Sequence, residues 1–186
     1  MSANGWGAQR SRSVTWYDPA LPAAAAAELA GREVMQAIID RRLPPPPFMS
    51  ILGAELVSVD EGEALFEIVP DESTYNPLGI VAGGLLCTML DSAAGGAVQT
   101  LLPAGVGLSS IEIKVTFLKP LRAGQGPMEI HGHALRVGSR IAFAEAHARN
   151  SEGELVGHAT TSFALWASPV ALPVSRSTPG AGPRGY

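Results

Sequence analysis

Residues Asn76 to Asp91, with the sequence NPLGIVAGGLLCTMLD, decide the fold of this chain. The Asn-Pro pair favours a turn, and Gly83 and Gly84 lead directly into an apolar helical pattern. Amide N–H groups at a helix start are unpaired and lie at the positive end of the helix dipole, so they can stabilise an anion. Asp91 follows within the apolar pattern, where a carboxylate is costly to bury unless it has a partner or a task. Together these features predict chemistry on an acyl group.

The composition describes a globular protein with one substantial core. The chain has 186 residues, of which 46% are hydrophobic and 16% charged, and this length suits a single domain. A net charge of −4 without runs of Lys or Arg argues against a nucleic-acid partner. The single cysteine cannot form an internal disulfide. The first residues form no secretory signal, and the apolar stretch 78–90 is too short to span a bilayer, so a cytoplasmic protein without a membrane partner is predicted.

The chain divides into four predicted segments. They are a flexible N-terminus at 1–16, an N-terminal helix and Pro-rich connector at 17–47, the main domain at 48–166 and a disordered tail at 167–186. The helix is predicted over 21–43, where apolar residues recur at helical spacing. Pro44 to Pro47 should end it and form an extended connector.

The main domain alternates strand patterns with one long helical pattern. Strands are predicted at 51–60, 63–70, 110–118, 128–137, 141–150 and 155–166, and the central helix at 84–102. Short connections join several of these strands, so the sheet should be antiparallel. In the 110–118 strand, Ile111, Ile113, Val115 and Phe117 should share one face. The central helix is apolar on nearly every side and needs a large cover. The sequence therefore predicts an α+β domain whose antiparallel sheet wraps around one long central helix, with an extra N-terminal helix.

This element order and several motifs resemble the hot-dog fold, and specifically the PaaI-like acyl-CoA thioesterases. The motifs are YNPLGIV at 75–81, the Gly83-Gly84 pair, LDSAAG at 90–95, EIKVTFLKP at 112–120, VGSR at 137–140 and GELVGHA at 153–159. The resemblance covers roughly residues 43–166, which is most of the predicted folded chain.

The resemblance implies hydrolysis of a thioester by water, which releases coenzyme A and a carboxylic acid. It implies that Asp91 is the general base or nucleophile and that the Gly83 amide holds the oxyanion. It further implies that Asn76 orients the thioester or the water, and that Ser110 lies near the acid. The bland interpretations are a helix carboxylate paired with a backbone or Lys/Arg partner for Asp91, a turn former for Asn76 and a plain strand hydroxyl for Ser110.

Ala82 departs from the family pattern, which is His-Gly-Gly at this point. A methyl group cannot donate the hydrogen bond that the imidazole would supply, and losing such a donor typically lowers the rate by roughly 10²–10³. The alternative to an efficient thioesterase is therefore a very slow enzyme or a non-catalytic acyl-CoA-binding protein. A hot-dog dehydratase is disfavoured, because such enzymes normally use a His–acid pair and no histidine lies near Asp91 in sequence.

The spacing of the motif predicts an oligomer. Gly84 and Asp91 are separated by two helical turns, or about 10 Å along the axis, which is too far for both to act on one thioester carbon. We therefore expect a homodimer with each site built from Gly83 of one chain and Asp91 of the other. The resemblance adds that such dimers often pair into tetramers.

Coenzyme A would be part of the substrate, and no further cofactor or metal is predicted. Candidate substrate-binding residues are Ala82, Gly84, Lys119, Arg122, Arg136, Gly138, Ser139 and Arg140. The 136–140 turn offers guanidinium groups and N–H groups suited to phosphate. The four histidines, His131, His133, His147 and His158, lack an acid or cysteine that would complete a ligand set. Cys87 is predicted to be a buried small hydrophobe.

Overall fold

The structure is a computed structural model that describes residues 5–167. Its helices are α1 (Ala20–Glu28), α2 (Gly31–Ile39), α3 (Pro47–Leu52) and α4 (Gly83–Gln99), with a short 3-10 helix at Glu72–Thr74. Its strands are β1 (Ala54–Asp60), β2 (Glu63–Ile68), β3 (Val106–Phe117), β4 (Met128–Val137), β5 (Ile141–Arg149) and β6 (Leu155–Ala167). The strands form one antiparallel sheet in the order β1-β2-β4-β5-β6-β3. The predicted α+β architecture around one long helix is confirmed. The predicted tail at 167–186 lies almost wholly outside the described residues.

The sheet buries α4 along most of its length. Six side chains of this helix have 0% exposure, namely Met89, Leu90, Ala93, Ala94, Ala97 and Val98. The alanines permit a close approach of strand to helix, and Gly132 of β4 completes it. A Cβ atom added to Gly132 would lie 1.9 Å from the carbonyl oxygen of Ala93. The small residues of the sequence thus set the distance between the sheet and α4. Between residues 5 and 167, no helix has the length and apolarity needed to cross a membrane.

The prediction of one N-terminal helix over 21–43 was wrong, because two helices occupy this region. The chain is extended at Leu29 and Ala30, between α1 and α2. The Gly31 N–H donates to the carbonyl oxygen of Leu102 at 3.0 Å, just beyond α4, and the Ala30 N–H donates to the Glu33 carboxylate at 2.9 Å. These contacts start a new helix against α4, so tertiary packing overrides the high helix propensity of the alanines.

The first strand begins three residues later than predicted, because α3 occupies the expected strand start. Pro47 lies in the first turn of α3, where its missing N–H costs nothing. Gly53 then ends the helix in the left-handed conformation, with φ of 70°. The Pro-rich connector is therefore shorter than predicted, and β1 starts at Ala54. The remaining boundaries differ from prediction by a few residues, and β4 agrees fully.

Strand β3 forms one edge of the sheet and contains a bulge. Its pairing with β6 shifts register between Ser110 and Glu112, which leaves Ile111 unpaired and 58% exposed. Ser110, before the bulge, faces α4. Val115 and Phe117, after the bulge, lie on the same face, against the core and α4. The predicted alternation through Ile111 was therefore wrong. Among the described residues, no strand pairs with the second edge of β3.

Candidate active site

Asp91 and Ser110 form one half of the candidate site. Asp91 is partly exposed on α4, and the Ser110 hydroxyl donates to its Oδ1 atom at 2.8 Å. The bulge in β3 turns this hydroxyl toward the helix. In the part of the chain that the structure describes, no Lys, Arg or His forms an ion pair with Asp91. The bland interpretation of Asp91 as a carboxylate paired with Lys or Arg therefore lacks its cation, and the side-chain donor that Asp91 has is Ser110. The carboxylate is held by a neutral donor and keeps its second oxygen for a ligand.

The start of α4 forms the other half. The Ala82 N–H donates to the carbonyl oxygen of Thr74 at 2.8 Å, and the Leu85 N–H donates to that of Ala82 at 3.0 Å. Within residues 5–167, no acceptor takes the N–H groups of Gly83 and Gly84. These two donors at the positive end of the helix are available to an anion. The absence of a side chain at Gly83 matters, because an added Cβ would lie 3.0 Å from the Phe117 ring.

A cavity of about 350 Å³ opens beside this helix start. Its lining includes the predicted residues Asn76, Ala82, Gly83 and Lys119, together with apolar side chains such as Phe117. The Asn76 side-chain oxygen accepts a hydrogen bond from the Leu78 N–H at 2.9 Å, so Asn76 has the turn-forming role of the bland interpretation. Its side-chain NH₂ group has no acceptor among the described residues. Asn76 can therefore hold the turn and still face a ligand.

Within one chain the two halves stay apart. Neither Asp91 nor Ser110 lines the cavity at the start of α4. Gly83 and Asp91 are eight residues apart on one continuous helix, which corresponds to about 12 Å along the axis. A single chain therefore does not bring the acid and the helix start to one reacting atom.

The predicted coenzyme A-binding residues also fall into two groups. Lys119 pairs with Glu154, and Arg122 donates to the Gly79 carbonyl at 3.2 Å, both near the start of α4. The 136–140 turn lies at the opposite end of the sheet. The Leu165 N–H of β6 donates to the carbonyl oxygen of Arg140, whereas Phe117, near Lys119, pairs with Gly157 at the other end of β6. The span from 157 to 165 on β6 corresponds to about 26 Å.

The 136–140 turn has fewer free donors than predicted. The Gly138 N–H donates to the carbonyl oxygen of Ile141 at 2.9 Å, so this amide is not available to phosphate. Arg136, Ser139 and Arg140 are exposed. An anion at this turn would therefore bind to the Arg136 and Arg140 side chains and not to the backbone N–H of Gly138.

The histidines lie on the face of the sheet that points away from α4. Gly132 contacts α4, so its neighbours His131 and His133 face outward. The rings of His131 and His147 stack with centroids 5.1 Å apart. Burial lowers the pKa of His147, and the positive charges of the nearby His131, Arg149 and His158 lower it further, whereas Glu145 raises it.

Cys87 is only partly buried. In the described residues, no three His, Cys, Asp or Glu side chains are grouped to hold a metal.

Sequence reasoning missed a larger cavity, of about 980 Å³, between the N-terminal segment and α4. Residues from α1 to α3 form one wall, and Ser92, Gly95, Gly96 and Gln99 of α4 lie opposite. The spacing of these four residues on a helix was the available signal, because it places small or polar side chains on one face.

An antiparallel sheet wrapped around a long central helix is the hot-dog fold, and in this chain it carries free amide donors at the helix start and an acid two turns later. Residues 78–157 match the family model of the thioesterase superfamily. Human acyl-coenzyme A thioesterase 13 is 28% identical over 127 residues, which cover 67% of this chain and 86% of the relative.

Solved structures share this fold. A phenylacetic acid degradation-related protein from Ralstonia eutropha JMP134 is 26% identical, with a TM-score of 0.64 over 70% of this chain and 98% of its own. The PaaI protein of E. coli is 17% identical, with a TM-score of 0.66 over 77% of this chain and 100% of its own. The PaaI-like resemblance is thus confirmed, and the match to the thioesterase superfamily supports thioester hydrolysis in general terms.

Proposed function

We propose that this protein hydrolyses an acyl-CoA thioester to free coenzyme A and a carboxylic acid, without a bound cofactor or metal. The observation that carries the proposal is the Asp91 carboxylate, held by the Ser110 hydroxyl at 2.8 Å and not by a cation. A carboxylate in this state can take a proton or attack a carbonyl carbon. The name of the human relative supports acyl-CoA as the substrate.

The proposed chemistry uses the acid and the helix start on opposite sides of the thioester. Asp91 removes a proton from water as the water oxygen attacks the carbonyl carbon, or the carboxylate attacks that carbon itself and water then releases the acid. The carbonyl oxygen becomes negative and is stabilised by the Gly83 N–H. The carbon–sulfur bond then breaks, and the sulfur leaves as the thiolate of coenzyme A and takes up a proton.

A homodimer would complete the site. Strand β3 exposes an unpaired edge with Ile111, Ile113 and Phe117 exposed by 58%, 36% and 55%, and such edges are normally covered. Antiparallel pairing of two β3 strands about an axis at Lys114, with the bulged Ile111 again unpaired, would place Ser110 of one protomer opposite Phe117 of the partner subunit. Because Phe117 packs against Gly83, this pairing would bring each acid to the helix start of the other chain.

The same symmetry would gather the substrate-binding residues. The 136–140 turn of one protomer would approach the end of β3 where Lys119 and Arg122 of the other protomer lie. Arg136, Arg140, Lys119 and Arg122 would then surround the phosphates of one coenzyme A molecule, with Gly84 exposed beside them. Further pairing of dimers into a tetramer and a cytoplasmic location complete the proposal.

Release of free thiol from a panel of acyl-CoAs tests the reaction. Asp91→Asn should lower kcat by roughly 10²–10⁴ if the carboxylate acts as base or nucleophile. Asp60→Asn, at the end of β1, serves as the matched control. Undiminished activity of Asp91→Asn would refute the catalytic role. A monomer in light scattering at micromolar concentration would refute the shared site.

A non-catalytic or very slow acyl-CoA-binding protein is the second candidate, and Ala82 favours it. Ala82 stands immediately before the helix, where its side chain can donate no hydrogen bond. Ala82→His should raise the rate by up to roughly 10²–10³ if a donor has been lost from a working site. Stabilisation of the fold by acyl-CoA, with no turnover of any chain length, would establish the binder instead.

A further inference from the structure

We infer that the 980 Å³ cavity between the N-terminal segment and α4 binds the aliphatic chain of the acyl group, so that this segment determines the preferred chain length. The inference rests on the proposed thioester hydrolysis, because it names the substrate class of that site. It assigns a function to α1, α2 and the Pro-rich connector, which the proposed chemistry does not use.

The walls of the cavity are mostly apolar. Side chains from the N-terminal segment include Val34, Met35, Ile38, Ile39, Leu43 and Met49. Leu56, Phe66 and Leu108 of the sheet also line it. Burying an alkyl chain against such walls is favourable by about 0.8 kcal/mol for each CH₂ group.

The cavity begins beside the candidate catalytic acid. Ser110 bonds Asp91, and Leu108 lies two residues earlier on the same face of β3. One turn along α4 from Asp91, a Cβ on Gly95 would lie 3.6 Å from the Leu108 side chain. Gly95 and Leu108 both line the cavity. Ser92, the neighbour of Asp91, also lines the cavity, so a chain attached to a carbonyl carbon at Asp91 would need to extend by only about one helical turn along α4 to enter it.

The polar groups of the lining indicate an uncharged ligand. The Ser92 hydroxyl donates to the carbonyl oxygen of Thr88 at 2.9 Å, so its donor is already used. Arg41 and Arg42 are exposed, and Arg42 pairs with Asp40 at 2.9 Å. The Arg41 and Arg42 guanidinium groups therefore lie where the cavity meets solvent. An alkyl chain fits such a lining better than a second carboxylate or a phosphate.

The length of the cavity favours an aliphatic chain over a single aromatic ring. Ser92 and Gln99, at its two ends on α4, are seven residues apart, or about 10 Å along the axis. An extended alkyl chain advances about 1.25 Å per carbon, given carbon–carbon bonds of about 1.52 Å. About eight carbons beyond the carbonyl would fill this distance. One aryl ring would leave most of the volume empty.

The chain-length profile of the full-length protein tests the inference. From butyryl-CoA to decanoyl-CoA, kcat/KM should rise by up to about fourfold per added carbon, which corresponds to ~0.8 kcal/mol per CH₂. Ile38→Trp would fill the cavity from α2 and should lower kcat/KM for decanoyl-CoA at least tenfold while leaving butyryl-CoA within about twofold. Ile51→Trp is the matched control, because Ile51 is 45% exposed on α3 and does not line the cavity.

A binding measurement separates this inference from the proposed reaction. S-butyl-CoA and S-decyl-CoA are thioethers that cannot be hydrolysed, and calorimetry should show tighter binding of S-decyl-CoA by the wild type. Tighter binding without hydrolysis of any acyl-CoA would refute the reaction and support the cavity. Hydrolysis with a flat profile, or an equal loss of butyryl and decanoyl activity in Ile38→Trp, would refute the cavity assignment and leave the reaction standing. If Ile38→Trp does not fold, Leu43→Trp places the same ring in the cavity from outside any helix.

Discussion

Replacing Gly132 by alanine tests the close contact between β4 and α4, on which the position of Asp91 depends. A Cβ at this position would lie 1.9 Å from the carbonyl oxygen of Ala93 and 2.8 Å from the backbone nitrogen of Ala94. Cβ contacts under 3.0 Å essentially do not occur, so strand and helix must separate by about 1.1 Å. Both neighbours are backbone atoms, and no rotamer change can relieve the overlap.

The sign of the change in the free energy of unfolding shows whether β4 and α4 are in this close contact. In a strand without the clash, Gly→Ala stabilises by roughly 0.5–1 kcal/mol. Overpacking a core usually costs about 1–3 kcal/mol, and a backbone clash belongs at the upper end. A loss of about 3 kcal/mol corresponds to roughly 6–12 °C in Tm for a chain of this size. Ala93 is two residues from Asp91, and a displacement of about 1 Å can lower the rate by about 10²-fold.

Urea denaturation at fixed protein concentration measures the free energy of unfolding, and thiol release measures the activity. Gly157→Ala is the matched control, since its Cβ would lie 2.7 Å from the end of the Leu86 side chain, which can move aside. We expect Gly157→Ala to change stability by less than about 1 kcal/mol. Gly132→Ala with wild-type or higher stability and full activity would refute the reasoning.

Three further outcomes are expected. Ser110→Ala should lower kcat about tenfold or more in the thiol-release assay, because a hydrogen bond to a charged group contributes about 1.5–3 kcal/mol, and Ser110→Thr should retain most activity. Leu90→Ala should lower the free energy of unfolding by about 2–5 kcal/mol in urea, since Leu90 has 0% exposure. His147→Gln should raise Tm relative to wild type at pH 5.5 more than at pH 8. The lowered pKa of His147 means that the unfolded state binds the proton better, so stability is lost as pH falls below the ordinary value of about 6.5; equal differences at both pH values would refute this.

Much of the fold was predictable because its signals are local. The apolar pattern of α4 and the short turns between strands depend on neighbouring residues, and these elements appear where the sequence predicts them. The break between α1 and α2 depends instead on a hydrogen bond from Gly31 to Leu102, 71 positions further along the chain. A single sequence carries no sign of that contact, and the alanines around it indicate one continuous helix.

The geometry of the candidate site could likewise not be predicted from local sequence patterns alone. Strict alternation along 110–118 assigns Ile111 to the core face and turns Ser110 away from α4. The resemblance to the PaaI-like thioesterases implies the opposite, that Ser110 lies near the acid. The two expectations cannot both hold on a regular strand, and the bulge resolves them. It leaves Ile111 unpaired and exposed at the sheet edge, while Ser110 reaches Asp91 and Phe117 still faces the start of α4. One extra residue in β3 therefore places the two contacts of the candidate site on the same face of the strand.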